Sequence, residues 1–363
     1  MNPTPTVYDV AAHAGVSIAT VSRVLRRPDD VREATRQKVL ASIRELGYVP
    51  SASARGLASR RTGVIGIFLP GFDDAWEVGE AAETDGELVQ VVNEVGDHSV
   101  RHSSDLYFDE VLRGAELEAW RQELVLMIAV GRSGDPEAII RDMAGRVDGL
   151  LILARSLPTS LIDYVSRRVP IVLLASSGGE PQRFDHVAVA NAEGMRTLAE
   201  HLIGDLGVTD FAYLDGNAES PDGAERLRGF TAALADAGLE LPGERYFRGD
   251  FGRIDGQQVG RRLRDQDQLP RALVCANDQM ALGVLDAFAD AAVDVPGRVI
   301  VTGFDGIDDA RVSRPPLTTV RQPMAALGRA AVELMAQRLA DPDRDPGERK
   351  LPVQVLLRES SDG

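Results

Sequence analysis

From Gly63 onward the chain repeats one pattern: an unbroken apolar run of three to six residues, a turn marked by Gly or Pro, then an amphipathic stretch. The runs are Val64–Leu69, Leu124–Ala129, Gly149–Leu153, Ile171–Leu174, Val187–Val189, Phe211–Leu214, Ala272–Cys275 and Val299–Thr302. None shows the polar alternation of a strand with one wet face, so each is expected to be covered by helices on both sides. Strands of that kind alternating with helices build doubly wound parallel sheets, whose ligands bind at the carboxyl ends of the strands. No G-x-G-x-x-G or G-x-x-x-x-G-K-[ST] follows a run, so no cradle for nucleotide phosphates is expected.

The preceding residues have a different period. In VYDVAAHA (residues 7–14) Val7, Val10, Ala11 and Ala14 form the stripe of a short helix, with Thr6 as its N-cap. Gly15 ends it, and Ser17 caps a second helix from Ile18 to Leu25 that turns Val21 and Val24 inward. A third helix, about Arg32 to Leu46, carries Val39, Leu40, Ile43 and Leu46 on one face and stops at Gly47. Two helices joined by so tight a turn form a helix-turn-helix, whose second helix enters the major groove of DNA.

Charge agrees with that division. The whole chain has net charge −16, yet residues 1–62 hold ten Lys and Arg against five Asp and Glu. The remainder holds 30 against 51. A basic head can neutralise phosphates while an acidic body is repelled by them. One cysteine, Cys275, excludes an internal disulfide and is expected in the core of a protein kept reduced. With no second Cys and five His, neither a metal site nor a cofactor is expected. The chain has no membrane-length apolar run, no secretory leader pattern, and none of the G-x-S-x-G, H-E-x-x-H or paired-acid signatures of an enzyme. A cytoplasmic protein at the bacterial nucleoid is expected.

Several stretches together resemble the lactose/galactose-repressor family. In the head they are TVYDVAAHAGVS (Thr6 to Ser17), TVSRVL (Thr20 to Leu25), TRQKV (Thr35 to Val39), LGYVP (Leu46 to Pro50) and ARGL (Ala54 to Leu57). In the body they are VDGLL (Val147 to Leu151), RLRGF (Arg226 to Phe230), CANDQMALG (Cys275 to Gly283), GFD (Gly303 to Asp305) and PPLTTVRQP (Pro315 to Pro323). The resemblance implies an all-α helix-turn-helix head and hinge joined to a two-lobed α/β core like that of periplasmic binding proteins. On that basis the DNA-binding domain is 1–49 and the hinge 50–62. The first lobe is 63–190 with 294–321, and the second is 191–293 with 322–358.

The resemblance also implies site residues. Ile18, Ala19 and Arg23 are expected to read bases, Arg23 against guanine and the other two against thymine methyls. Thr20, Ser22 and the Ser17 amide are expected on phosphates, with Thr6 and Tyr8 among the DNA contacts. Ser51, Ala54 and Leu57 belong to a hinge helix, Leu57 being the wedge that kinks a minor-groove step. Gly56 and the serines around it make a weak helix, which orders on DNA. The same stretch also reads as a plain flexible linker. For the effector, Asp278, Arg226, Phe251, Tyr107, Phe108 and Asp105 are expected to line the cleft. Carboxylate, guanidinium and ring faces together suit a sugar or polyol. An ion pair of Arg226 with Asp278 and a purely packing Phe251 are the competing uses of those residues.

Four departures from the family pattern stand out: Ser51 and Arg26 replace its usual Asn, Asp105 replaces another, and Ala190 replaces the Asp that opens ANAEG. Between Pro70 and Tyr107 the chain carries an extra acidic segment, 71–104, with nine acids and one arginine. It reads as a surface loop or as a lid or partner contact at the rim of the cleft. The partners expected are a palindromic double-stranded operator, a small-molecule effector and a second copy of the chain. Control by a protein partner or corepressor is the alternative to a sugar inducer.

Overall fold

Asp185 shows how the larger part of the molecule is tied together. Its buried carboxylate accepts hydrogen bonds from Arg338 Nε (2.9 Å), an Arg344 guanidinium nitrogen (2.9 Å) and the Gly347 amide (2.8 Å). Residues more than 150 positions apart are thereby held at one sheet edge. The structure, a computed structural model, describes residues 5–26, 28–48, 61–70, 106–131, 135–153, 157–175 and 183–362. The chain divides into two units, 1–62 and 63–363.

The smaller unit holds α1 (Val7–Ala14), α2 (Ile18–Arg26) and α3 (Glu33–Leu46). Thr6 and Asp9 close a capping box at the start of α1: the Asp9 amide donates to Thr6 Oγ1 at 3.4 Å, and the Thr6 amide to Asp9 Oδ2 at 2.8 Å. Gly15 then takes φ +61°, a turn only glycine makes without strain. The helices enclose a small core of Val10, Ala11, Ala14, Val21, Val24, Val39 and Tyr48.

The larger unit contains two six-stranded sheets. In chain order, the first lobe runs β1 (Val64–Pro70), α4 (Leu106–Arg121), β2 (Val125–Gly131), α5 (Pro136–Ala144), β3 (Gly149–Leu153), α6 (Thr159–Ser166), β4 (Ile171–Leu174) and β5 (Asp185–Val189). The second runs α7 (Asn191–Gly204), β6 (Phe211–Asp215), α8 (Pro221–Asp236), β7 (Tyr246–Arg248), α9 (Arg253–Asp265), β8 (Ala272–Cys275), α10 (Asp278–Ala289), β9 (Ile300–Asp305), α11 (Asp308–Val312) and β10 (Thr318–Arg321). Then α12 (Met324–Ala340) and β11 (Glu348–Leu351) return to the first lobe, and β12 (Gln354–Leu356) closes the second. The spatial orders are β11-β5-β4-β3-β1-β2 and β12-β10-β9-β8-β6-β7. Among the described residues every strand pairing is parallel except that of β10 with β12.

This order corrects the expected lobe boundaries. Residues 294–321 do not return to the first lobe: β9 pairs with β8 (Ala272↔Ile300) and β10 with β9 (Thr318↔Thr302), in the second sheet. Conversely 324–351, expected in the second lobe, packs α12 against α4 and strands β3 to β5 of the first. The physical reason is local. The β8–α10–β9 segment is a short crossover of the kind that keeps consecutive parallel strands adjacent. The chain therefore changes lobes near 190, 323 and 352. Among the described residues, no helix is long and apolar enough to cross a membrane.

Candidate functional site

Two surfaces carry the chemistry, one in each unit. On α2 the buried residues Val21 and Val24 leave Ile18, Ala19 and Arg23 exposed together on the opposite side. Ser17 starts the helix: its Oγ accepts the Thr20 amide at 3.1 Å and lies 2.9 Å from Thr20 Oγ1. The Thr20 hydroxyl, expected on a phosphate, is thus paired with Ser17 Oγ in this structure. Ser22 is half-buried, whereas Thr6 and Tyr8 are exposed, Tyr8 by 67 %. Arg23 is exposed and forms no ion pair among the described residues, so its fork is available to an outside acceptor. The hinge residues Ser51, Ala54 and Leu57 lie outside the described residues, as does Asp105.

In the larger unit Arg226, in the second turn of α8, is the centre of a buried polar cluster at the carboxyl ends of the second-lobe strands. Its Nε donates to Asn191 Oδ1 (2.9 Å), at the start of α7, and an Nη donates to the Ala276 carbonyl (2.7 Å), just past β8. Asp305, the last residue of β9, lies 3.5 Å away and Asp222, on α8, 3.8 Å away. The guanidinium sits 3.9 Å over the ring of Phe304. Gln322, just past β10, donates through Nε2 to Asp305 Oδ1 at 2.6 Å. One arginine is therefore shared by α7, α8, β8 and β9, and through Asp305 by the end of β10, which is where an α/β sheet binds ligand. Burial raises the Asp222 carboxyl above its ordinary range, with the neighbouring Arg226 opposing that rise.

Phe251 forms the aromatic side of the same region. It takes φ +65°, a costly conformation for a ring-bearing residue. Asn277 holds it there by donating from Nδ2 to the Phe251 carbonyl (3.0 Å) while its Oδ1 caps α10. The ring lies against Gly216, where a Cβ would come within 2.1 Å of it. Beside it, Asp215 at the end of β6 accepts the Tyr246 hydroxyl at 2.6 Å. Phe251 is half-buried and packs against the edge of the core.

Asp278 differs from expectation. It is the first residue of α10, and it is fully buried. Its Oδ2 accepts the amides of Gly306 (2.7 Å) and Ile307 (3.0 Å), and its Oδ1 accepts Thr319 Oγ1 (2.5 Å). These three protein donors occupy three of the about four lone-pair sites of the carboxylate. Its work is on the loop after β9, where Asp305 is held at φ +128°. Desolvation pushes its carboxyl up to about 6, against the pull of Thr319, the two amides and Arg358. The ion pair of Arg226 with Asp278 is likewise replaced: the carboxylates beside Arg226 are Asp222 and Asp305. Sequence reading missed Asn191, Asp222, Asp305 and Gln322 as site residues. The signals were present, since GFD and RQP were both singled out without a role.

Tyr107 and Phe108 are half-buried in the first turn of α4, edge to face with centroids 5.0 Å apart. That turn lies at the carboxyl edge of the first sheet, the side on which its ligand groups belong.

Comparison with known proteins decides the family. Residues 6–51 match the family model described as bacterial regulatory proteins, lacI family, and residues 199–361 match that of a periplasmic binding protein-like domain. The HTH-type transcriptional repressor PurR of Vibrio parahaemolyticus is 32% identical over 358 residues, covering 97% of this chain and 97% of PurR. The chain belongs to the lacI family. The lac repressor dimer bound to operator superposes with TM-score 0.78 at 25% identity, covering 98% of this chain and 99% of the repressor. The cellobiose complex of the transcriptional regulator CelR gives 0.69 at 28% identity, covering 98% and 100%. As a lacI-family member the chain is a DNA-binding transcriptional regulator and not an enzyme, and its α2 face and Arg226 cluster are the surfaces to be assigned within that family.

Proposed function

We propose that the protein represses transcription by binding a palindromic operator as a homodimer, and that a sugar or polyol bound around Arg226 releases it. The observation that carries the effector half is the Arg226 cluster itself. Buried carboxylates, amides and one guanidinium converge with the ring of Phe251, a residue of strained backbone, at the ends of four strands. Such sets of oriented polar groups beside a ring suit a hydroxyl-rich ligand with apolar C–H faces. Asp278 serves as a positioning residue for Asp305, and Tyr107, Phe108 and Asp105 supply the first-lobe wall. Cellobiose in the CelR complex is a ligand of that chemistry.

In the DNA half, Ile18, Ala19 and Arg23 read bases, while Ser17, Thr20, Ser22, Thr6 and Tyr8 face the backbone. Ser51, Ala54 and Leu57 form the hinge, with Leu57 wedged into the minor groove. Two heads on half-sites about 10 bp apart, or a multiple of that, require a dimer. Leu117 and Trp120 of α4 and Val125 and Ile128 of edge strand β2 give it an apolar face, Trp120 being 75 % exposed. Effector closes the lobes, changes the spacing of the hinges and lowers operator affinity by the coupling free energy. The protein works in the cytoplasm on nucleoid DNA.

The test is selection of bound sequences from a random DNA library with the full chain, followed by competition with a sugar and polyol panel. The expected result is a two-fold symmetric site, from which one panel member displaces wild-type protein but not an Arg226→Ala variant. Failure to enrich any site would sink the DNA half. A site that no small molecule affects would shift control to a protein partner.

A further inference from the structure

We infer that the groove between α4 and the start of α12 is a second small-molecule site, for a metabolite that carries a carboxylate or phosphate together with a hydroxyl or amino group. The groove holds about 890 Å³. Its walls are α4, the start of α12, the loop after β9 and the crossovers near 323 and 352, so both lobes contribute. That is the size of a metabolite pocket. Of the groups around Arg226 it shares only Gln322, and it does not depend on what the Arg226 cluster binds.

The anionic end is set by α12. Its N-cap position is Pro323, which has no side-chain acceptor to offer. Met324, Ala325 and Ala326 line the groove, and their amides have no protein partner among the described residues. Free first-turn amides and the dipole of a 17-residue helix both attract negative charge. Two arginines stand in the same wall. Arg329, one turn beyond Ala325, is exposed and forms no ion pair among the described residues, and Arg321 is engaged there only by the neutral Gln354.

Gln322 points independently to a ligand. It lines the groove at 3 % exposure; its Nε2 donates to Asp305 (2.6 Å), and its Oε1 has no hydrogen-bond partner among the described residues. An unpaired buried acceptor is costly and rare, and in the wall of a groove it marks where an outside O–H or N–H completes the pairing. The acids of the groove agree. Glu110 and Glu118 are engaged by Arg113 (3.7 Å) and Arg121 (3.6 Å), whereas Asp109 and Asp308 form no ion pair among the described residues. The oxyanion is therefore confined to α12 and its two arginines, and donor groups of the same molecule face Gln322, Asp109 and Asp308.

Calorimetric titration of the full chain with succinate, malate, glutamate, inorganic phosphate and 3-phosphoglycerate, at fixed ionic strength, tests this. The expected result is binding by a member that joins an oxyanion to a donor: malate or glutamate if the anion is a carboxylate, 3-phosphoglycerate if it is a phosphate. Arg329→Ala should weaken that member at least about tenfold, the scale of one hydrogen bond to a charged group. Arg261→Ala, which removes an exposed arginine of α9 outside the groove, should leave it unchanged. Both side chains are exposed, so the melting profile of each variant should match wild type. Equal weakening by the two substitutions would reduce the binding to diffuse surface charge and overturn the site. Succinate binding as tightly as malate overturns the donor half, and heat from no member at millimolar concentration overturns the whole.

Discussion

The proposed recognition face of α2 and the proposed effector cluster around Arg226 face opposite problems. On α2 the proposed base readers Ile18, Ala19 and Arg23 stand exposed and share only the helix that carries them. Around Arg226 the proposed effector groups are buried, paired with one another and drawn from α7, α8 and the ends of three strands. DNA brings its own rigid geometry, so a reader needs little more than a well-placed helix. A small flexible ligand brings none, so the site must be preorganised and every charge offset before the ligand arrives. The two surfaces should therefore respond differently to substitution.

The sharpest contrast is expected from Arg226→Ala. Removing the guanidinium leaves Asp222 and Asp305 buried without it, a loss of ~3–5 kcal/mol for a broken buried ion pair. Calorimetric unfolding should show the larger unit melting earlier while the head is unchanged. A variant as stable as wild type would show that water already offsets those carboxylates and that the cluster is less preorganised than its geometry indicates.

Next in size is a pH effect at Asp278. Its folded carboxyl titrates at about 6, above the ordinary 3.8. The unfolded chain gives up this proton near 4, the folded chain only near 6. The stability tied to the proton is thus present below about pH 4 and lost as pH rises towards 6, ~3 kcal/mol in all at 1.36 kcal/mol per unit. Asp278→Asn keeps two amide bonds and can donate to Thr319, and it removes that dependence. The melting temperature of the Asn variant relative to wild type should climb between pH 4 and 7. A parallel pair of pH curves would mean that Asp278 is ionised across the range.

How much of this was legible in the chain follows the same division. The head could be read almost residue by residue, because its helices are set by local signals: Thr6, Gly15, Ser17 and Gly47 lie where they cap or end them. The buried strands were equally plain, and β3, β4 and β8 match their apolar runs at both ends. The polar edge strands were not. ERKL, which forms β11, has no apolar run, because an edge strand needs none. The cleft was the least legible. Arg226 was identifiable, but its partners lie 35 residues before it in Asn191 and 79 after it in Asp305, and no local rule chooses between Asp278 and Asp305. Three residues decided it: β9 continues beyond Thr302 through Gly303, Phe304 and Asp305, which carries Asp305 to Arg226 and leaves Asp278 to hold the loop behind it.

On the DNA side Arg23→Ala should leave stability unchanged and relax discrimination at one base pair per half-site by ~1–3 kcal/mol, the worth of a bidentate guanine contact. The measurement is competition binding against single-base variants of the selected operator. A uniform loss across all variants would recast Arg23 as a phosphate contact, and the exposed face would then read sequence only through shape.

The smallest effect tests whether the head's independence extends to its stability. Thr6 and Asp9 cap α1 reciprocally, and Asp9 is held below the usual carboxylate range first by its side-chain bond to the Thr6 hydroxyl and then by the Thr6 amide. Thr6→Ala removes the hydroxyl and should cost the head ~1 kcal/mol, as loss of an N-cap does. Because Thr6 is also expected beside DNA, stability and binding must be read separately, by hydrogen exchange of the α1 amides without DNA and by operator affinity with it. If the exchange protection falls and affinity falls in proportion, Thr6 acts by holding α1, and its place among the DNA contacts is unnecessary. An affinity loss well beyond the change in protection would place the threonine on the phosphate itself.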